Sequence, residues 1–127
     1  MVDQNDGSGL LRNVKQRNTM LRQTQVIAAD GAVLIPEGLV LITKGSICVI
    51  TIDAPADLLD GAVLEIVSTT DFAHTVTFAT TGFNGGGAGE DVATFAVTAG
   101  ATLTLYAYNN NWYTSAGLAT DGGVALA

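Results

Sequence analysis

The sequence predicts an all-β fold: a compact antiparallel β-sandwich or barrel with an extended N-terminal arm. Apolar and polar residues alternate in short runs, which is typical of half-buried antiparallel strands. Residues that form turns recur about every eight to twelve positions, and this spacing favours a sandwich or barrel over an α/β fold. Only 6% of the residues are aromatic, whereas Ala, Gly, Thr and Val are abundant. We therefore expect thin, tightly paired sheets.

The length of 127 residues indicates one domain with a substantial core. We divide the chain into an N-terminal arm (residues 1–24), a β domain (residues 25–116) and a C-terminal tail (residues 117–127). The tail is assigned because its residues are small and only weakly apolar.

The first four predicted strands each end at a turn that contains Gly, Pro or Asp. They are Thr24–Ala28, Ala32–Ile35, Leu39–Thr43 and Ile47–Ile52. The fourth is apolar on both faces, as expected of a strand in the middle of a packed structure. Residues 39–52 offer more apolar side chains than one face of a small sandwich can hide, so we expect part of this surface to be shared between subunits.

The second half of the β domain shows the strictest alternation. Its predicted strands are Ala62–Val67, His74–Phe78, Thr94–Thr98, Thr102–Tyr106 and Trp112–Thr114. A glycine-rich loop at residues 83–91 is predicted to be a mobile surface loop. Three asparagines, residues 109–111, mark a tight hairpin turn, since Asn tolerates left-handed backbone conformations.

The net charge of −7 is distributed unevenly. Four of the five basic residues, Arg12, Lys15, Arg17 and Arg22, lie in the arm, and no Lys or Arg follows Lys44. The acidic body should repel nucleic acid and anionic membranes, so we expect neither as a partner. The arm lacks strand alternation, and we expect it to be mobile in the free protein and ordered on an acidic protein surface. Its predicted contact residues are Leu10, Leu11, Arg12, Lys15, Arg17, Leu21 and Arg22.

The single histidine and the single cysteine predict core residues rather than a catalytic site. His74 shares a strand face with Val76 and Phe78, which is typical of a core or interface histidine whose nitrogens are satisfied. Cys48 shares a face with Ile50 and Ile52, as an inert buried thiol does. Nucleophilic catalysis needs a base beside the nucleophile, and one His with one Cys does not make a zinc site. We expect no enzyme and no cofactor.

Carboxylates near one turn leave a metal site open as an alternative. Asp53, Asp57 and Asp60 could supply oxygen ligands for calcium, although their spacing is not that of an EF-hand loop. Solvated turn carboxylates are the simpler interpretation. The glycine-rich loop lacks the Gly-Lys-Ser/Thr ending of a phosphate-binding loop.

Four aromatic residues gather at the last hairpin. They are Tyr106, Tyr108, Trp112 and Tyr113. Alternation directs Tyr106 and Tyr108 outward, opposite Leu103 and Leu105. Aromatic side chains with polar tips are favoured at protein interfaces and in sugar-binding sites, so we consider all four as surface contacts. Cross-strand pairing within the hairpin is the alternative.

Four segments of the β domain together resemble a known module. They are Asp60-Gly61 with Leu64-Glu65-Ile66, His74–Phe78, Gly100–Leu105 and Asn111-Trp112-Tyr113. Residues 46–116 resemble a β module of tailed-bacteriophage virion proteins, which occurs in small head decoration (cement) proteins and in the distal domains of tail fibres and spikes. The lack of a coiled-coil or fibrous shaft favours decoration.

The resemblance implies a structural protein without catalytic residues. We expect a jelly-roll-like or β-tulip-like sandwich, often a homotrimer, that is made in the host cytoplasm and lies on the capsid exterior, where it bridges major capsid subunits. The alternative is a receptor- or glycan-binding tip of a tail fibre or spike. A metal-dependent hydrolase is disfavoured by the single histidine. The chain has no apolar run of signal-peptide or membrane-span length, so we expect a soluble protein.

Overall fold

The computed structural model describes residues 22–116 and 121–127. It confirms the all-β prediction: two five-stranded sheets pack together and enclose one core. The strands are β1 (Thr24–Ile27), β2 (Gly31–Ala32), β3 (Gly38–Ile42), β4 (Val49–Thr51), β5 (Val63–Ser68), β6 (Thr75–Thr77), β7 (Val92–Phe95), β8 (Thr102–Tyr108), β9 (Asn111–Tyr113) and β10 (Val124–Leu126). Sheet I has the order β9-β8-β5-β3-β1 and sheet II the order β10-β7-β6-β4-β2. The sheets are not closed on each other, so the fold is a sandwich and not a barrel.

Strand direction differs from the all-antiparallel expectation. From β1 to β6 the chain passes alternately between the sheets through connections of three to eleven residues. Strands of this part that neighbour each other within a sheet are consequently parallel, as β1, β3 and β5 are in sheet I and β2, β4 and β6 in sheet II. The pairs β5–β8, β8–β9 and β6–β7 are antiparallel, as predicted, and so is the unpredicted pair β7–β10. Alternation has a period of two in both arrangements, so it predicts burial without predicting direction.

The predicted inward faces form the core. Leu64 and Ile66 of sheet I are completely buried, as are Ile50 and Val76 of sheet II. Burial of one such side chain contributes roughly 1.5–3 kcal/mol relative to exposure, which makes these four positions central to stability. β4 lies inside its sheet as expected, but its outer side is open: Val49 is 48% exposed and the preceding Ile47 is 52% exposed.

The last strand was not expected, because residues 117–127 were assigned to a tail. Gly122 and Gly123 have φ values of 66° and 82°, which Gly adopts with little strain. The turn that they make lays β10 against β7, with Val124 opposite Phe95 and fully buried. Three small or aliphatic residues give no local strand signal, so this pairing is a tertiary effect.

The glycine-rich loop is more ordered than a mobile surface loop. It forms two short 3-10 turns, Phe83–Gly85 and Gly87–Gly89. Phe83 is fully buried, and its ring centroid lies 5.7 Å from that of Phe78. The Asn84 side chain accepts a hydrogen bond from the Thr114 amide at 2.8 Å, so the loop packs beside the edge strand β9.

Candidate functional site

The outer face of sheet I carries a row of exposed aromatic side chains. Cross-strand pairing places Tyr113 of β9 beside Tyr106 of β8, and Tyr106 beside Val63 of β5. Tyr108 lies one step further along β8, with its ring centroid 6.4 Å from that of Tyr113. The exposed fractions of Tyr106, Tyr108 and Tyr113 are 50%, 62% and 37%. We call these three residues the tyrosine surface.

Alternation along β8 produces this surface, as predicted. Leu103, Leu105 and Ala107 point into the core, so Tyr106 and Tyr108 must point outward. The hairpin turn that follows is held by Asn109 and Asn110, whose φ values are 52° and 63°. Such values suit a two-residue hairpin turn.

Contacts to the preceding loop fix the position of the hairpin. The Asp60 carboxylate accepts a hydrogen bond from the Asn109 amide at 2.9 Å, and the Asn110 side chain donates to the Pro55 carbonyl oxygen at 2.9 Å. The tyrosine surface therefore sits on a braced support and not on a free loop.

Trp112 does not belong to the tyrosine surface. Its exposed fraction is 2%, and its indole Nε1 donates a hydrogen bond to the Asp53 carbonyl oxygen at 2.8 Å. The expectation of a surface contact is wrong for this residue, because Asn111 and Tyr113 take the outward positions of β9 and leave the inward one to Trp112.

A groove of about 560 Å³ lies on the same side of the sandwich, at the start of β1, β3 and β5. Its lining includes Arg22, Glu37, Val63 and Glu65. The Arg22 guanidinium donates to Glu65 Oε1 at 3.0 Å and to the Gly38 carbonyl oxygen at 3.1 Å. Arg22 was predicted to contact a partner, and the structure gives it these intramolecular contacts at the root of the arm.

Gly38 allows this close approach. Its φ of +117° is unfavourable for other residues, and a Cβ atom there would collide with the Gln23 carbonyl oxygen. The Leu39 amide donates to that same oxygen at 2.9 Å. The other predicted arm contacts, Leu10, Leu11, Arg12, Lys15, Arg17 and Leu21, lie outside the described residues.

Threonine, valine and alanine side chains cover the outer face of sheet II. One cross-strand row holds Val49, Thr75, Thr94 and Ala125. The next row holds Thr51, Thr77 and Val92. Neither row contains an aromatic side chain.

His74 is a core residue, as predicted. It is fully buried, and its Nδ1 accepts a hydrogen bond from the Cys48 amide at 3.0 Å. A backbone N–H can only donate, so the ring hydrogen must be on Nε2, which lies 2.9 Å from Thr70 Oγ1. Thr70 in turn donates to the Lys44 carbonyl oxygen at 2.8 Å. Burial, together with the Lys44 charge, lowers the pKa of His74 below its ordinary value.

Cys48 is also buried, which confirms the predicted burial of this thiol. Burial raises the pKa of this thiol, and the negative charge of Asp30 raises it further. Both effects keep the sulfur protonated and weakly nucleophilic.

Of the aspartates considered for calcium, Asp60 accepts a hydrogen bond from the Asn109 amide through its carboxylate. Asp53 accepts the Trp112 indole N–H through its backbone carbonyl oxygen. Within residues 22–116 and 121–127, no three His, Cys, Asp or Glu side chains are grouped as metal ligands would be. The same part of the chain contains no helix long and apolar enough to cross a membrane.

Sequence reasoning missed the groove and its residues Glu37 and Val63. The sequence predicts Glu37 only as part of a turn and Val63 only as part of a strand. The parallel pairing of β3 with β5 brings the two residues together, and these strands are distant in the chain. Comparisons with family models, with curated proteins and with solved structures found no match.

Proposed function

We propose that the protein is a structural, non-catalytic virion protein that binds the outside of a tailed-bacteriophage capsid and bridges major capsid subunits. One observation carries the proposal furthest: the root of the basic arm and the tyrosine surface share one face of the sandwich. Arg22 lies in the groove beside Val63, and Val63 is the cross-strand neighbour of Tyr106. A single partner surface can therefore contact both.

The chemistry of this face suits a protein partner. Tyrosine is enriched in interface cores and among the residues that dominate binding energy. The three tyrosines are braced by the Asn109–Asn110 turn and by Asp60, so little conformational entropy is lost when a partner covers them.

The arm supplies the second half of the contact. Arg12, Lys15 and Arg17 can pair with acidic patches on the shell, while the acidic body favours solubility. Three arms on a homotrimer act together through their effective concentration, so each contact can be weak. The exposed Ile47 and Val49 of sheet II offer apolar area for association between subunits.

Mass spectrometry of separated phage heads and tails tests the assignment. We expect the protein with heads, and recovery only with tails would refute decoration. A second test adds purified protein to empty shells. Charge reversal at Arg12 and Arg17 is expected to weaken binding most at low salt, and unchanged affinity would exclude the arm as the tether.

A receptor- or glycan-binding tip is the second candidate. It is favoured by the Tyr108 and Tyr113 rings, which are exposed and inclined at 50° to each other, because aromatic faces also pack against sugars. Binding of labelled host-surface glycans that is lost in Tyr108→Ser, together with recovery in tails, would support this candidate and not decoration.

A further inference from the structure

An apolar pocket of about 170 Å³ opens at the end of the sandwich where β3 and β5 begin. Its walls are the connection from β2 to β3 and the connection from β4 to β5. We call this site the end pocket. Its residues neither belong to the tyrosine surface nor line the groove on sheet I. Its apolar lining includes Leu34, Pro36, Pro55, Leu59 and Trp112.

Hydrogen bonds hold both walls of the end pocket in place. The Gln25 side chain accepts a hydrogen bond from the Leu34 amide at 2.8 Å and donates one to the Ala32 carbonyl oxygen at 3.1 Å. In the other wall, the Pro55 carbonyl oxygen accepts a hydrogen bond from the Asn110 side chain at 2.9 Å. Because the pocket is already formed, little conformational entropy is lost when a side chain enters it.

The size and lining of the end pocket fit one apolar side chain. An apolar cavity of about 150 Å³ accepts a benzene molecule, so the end pocket has room for a Leu, Met or Phe side chain. Two leucines at its edge are open to solvent: Leu34 is 81% exposed, and Leu58, which precedes the lining residue Leu59, is 97% exposed. These two side chains add nothing to the core, whereas a partner that covers them removes apolar surface from water.

Carboxylates surround the end pocket. Asp53 lines the pocket itself. Glu37, Asp57 and Asp60 each directly follow a lining residue, so the Cα atom of each lies about 3.8 Å from that of a lining residue. None of the four forms an ion pair with a Lys or Arg of the described part of the chain, where both cations pair with other carboxylates. The rim of the pocket is therefore negative and open to a cation from outside.

We propose that the end pocket binds a segment of a partner protein that carries one apolar anchor residue with a Lys or Arg beside it. The anchor packs against Trp112 and Leu59, and the cation pairs with the carboxylates at the rim. A second copy of this chain is a poor occupant, because two acidic rims would then face each other. The inference does not depend on the proposed binding to capsids, since the end pocket is separate from the tyrosine surface.

Peptide titration of the ¹⁵N-labelled full-length protein tests the proposal. Trp112 is the only tryptophan of the chain, so its indole N–H gives a single signal beside the pocket. Three capped peptides are compared: Gly-Lys-Phe-Lys-Gly, Gly-Lys-Ser-Lys-Gly without the anchor, and Gly-Glu-Phe-Glu-Gly with reversed charge. The first is expected to shift the Trp112 signal and to bind at least about tenfold more tightly than either of the others. A change from about 0.05 M to about 0.5 M salt should weaken its binding severalfold.

Substitutions in the pocket and at its rim have matched controls at the opposite end of the sandwich, where β5 and β7 end. Leu34→Ser removes an exposed lining side chain and is expected to weaken binding at least about threefold, whereas Val97→Ser, also at an exposed position, should leave it unchanged. Asp57→Asn removes a rim charge and is expected to weaken binding about twofold, whereas Asp71→Asn should leave it unchanged.

Four results would overturn the proposal. They are the absence of a Trp112 shift at about 10 mM of the first peptide, equal affinity for the three peptides, equal effects of each variant and its control, and shifts that are largest at Tyr106 and Tyr108. Signals that shift with protein concentration in the absence of peptide would assign the end pocket to a second copy of the chain, which would overturn it as well.

Discussion

The two outer faces of this sandwich are made by the same strand alternation but carry different chemistry. Sheet I presents Tyr106, Tyr108 and Tyr113 next to the groove that seats Arg22. Sheet II presents rows of threonine, valine and alanine without an aromatic ring. Folding requires only that inward positions be apolar, so neither set of outer side chains is dictated by the core. A concentration of exposed aromatic groups on one face points to binding on that face.

Gly38 is a position at which sheet I depends strongly on backbone geometry. Gly38→Ala is expected to destabilise the protein by about 3 kcal/mol, because it combines a strained φ with a clash against the Gln23 backbone. The melting temperature should fall by more than about 10 °C. Gly45→Ala is the matched control, since no atom lies within 4 Å of a Cβ at Gly45. Thermal unfolding measures both, and equal shifts would contradict the assigned role of Gly38.

Removal of the exposed tyrosine rings from sheet I should abolish the difference in partner binding that we expect between the two outer faces. Tyr106→Ser combined with Tyr108→Ser is expected to weaken the proposed binding to capsids roughly a hundredfold, if each exposed ring contributes about 1.4 kcal/mol. Thr51→Ala combined with Thr94→Ala changes two outer side chains of sheet II and should leave affinity unchanged. All four side chains lie on outer faces, so both variants should fold. Sedimentation with empty shells measures the affinity of each variant. Equal losses of affinity in the two double variants would show that binding does not depend on the outer face of sheet I.

Lowering the pH should destabilise sheet II before sheet I. The reason is that His74 directly precedes β6 and accepts a hydrogen bond from the Cys48 amide just before β4. The native pKa of His74 is lowered, so below the unfolded value of about 6.5 the unfolded chain binds a proton that the native state excludes. Stability is therefore lost as the pH falls from about 6.5 toward the native pKa, by at most about 1.4 kcal/mol per pH unit.

Urea unfolding between pH 7.5 and 5.5 measures this loss, and hydrogen exchange should show Cys48 and Thr75 amides opening before those of Leu105 and Tyr106. His74→Gln removes the titrating group and should flatten the profile in this range. A wild-type profile that is already flat would contradict the assigned tautomer and burial.

The smallest effect is expected for the ion pair on sheet I. Arg22 and Glu65 side chains are 49% and 35% exposed, and ion pairs of this kind contribute about 0–1 kcal/mol. Glu65→Gln should change the unfolding free energy by about 0.5 kcal/mol, and less in high salt. Denaturant titration at two ionic strengths measures it. A loss above 2 kcal/mol would show that this pair contributes more to stability than exposed ion pairs ordinarily do.

Local alternation made much of the fold and part of the site predictable. The inward positions of Ile50, Leu64 and Val76 follow from a period of two, because successive side chains of a strand point to opposite faces. The same rule placed Tyr106 and Tyr108 outside and His74 inside. The hairpin turn at Asn109 and Asn110 was also predictable from the sequence, since few residues other than Gly and Asn adopt positive φ values.

Strand direction, the β10 pairing, the burial of Trp112 and the groove beside Arg22 were decided only by the tertiary structure. Each depends on which strands become neighbours, and those neighbours are far apart in the chain: Glu65 pairs with Leu39 on one side and with Thr104 on the other. Alternation fixes the face of a side chain and says nothing about the strand beside it. Hydrogen bonds between distant segments assemble the groove, so its residues carry no shared local pattern that the sequence could reveal.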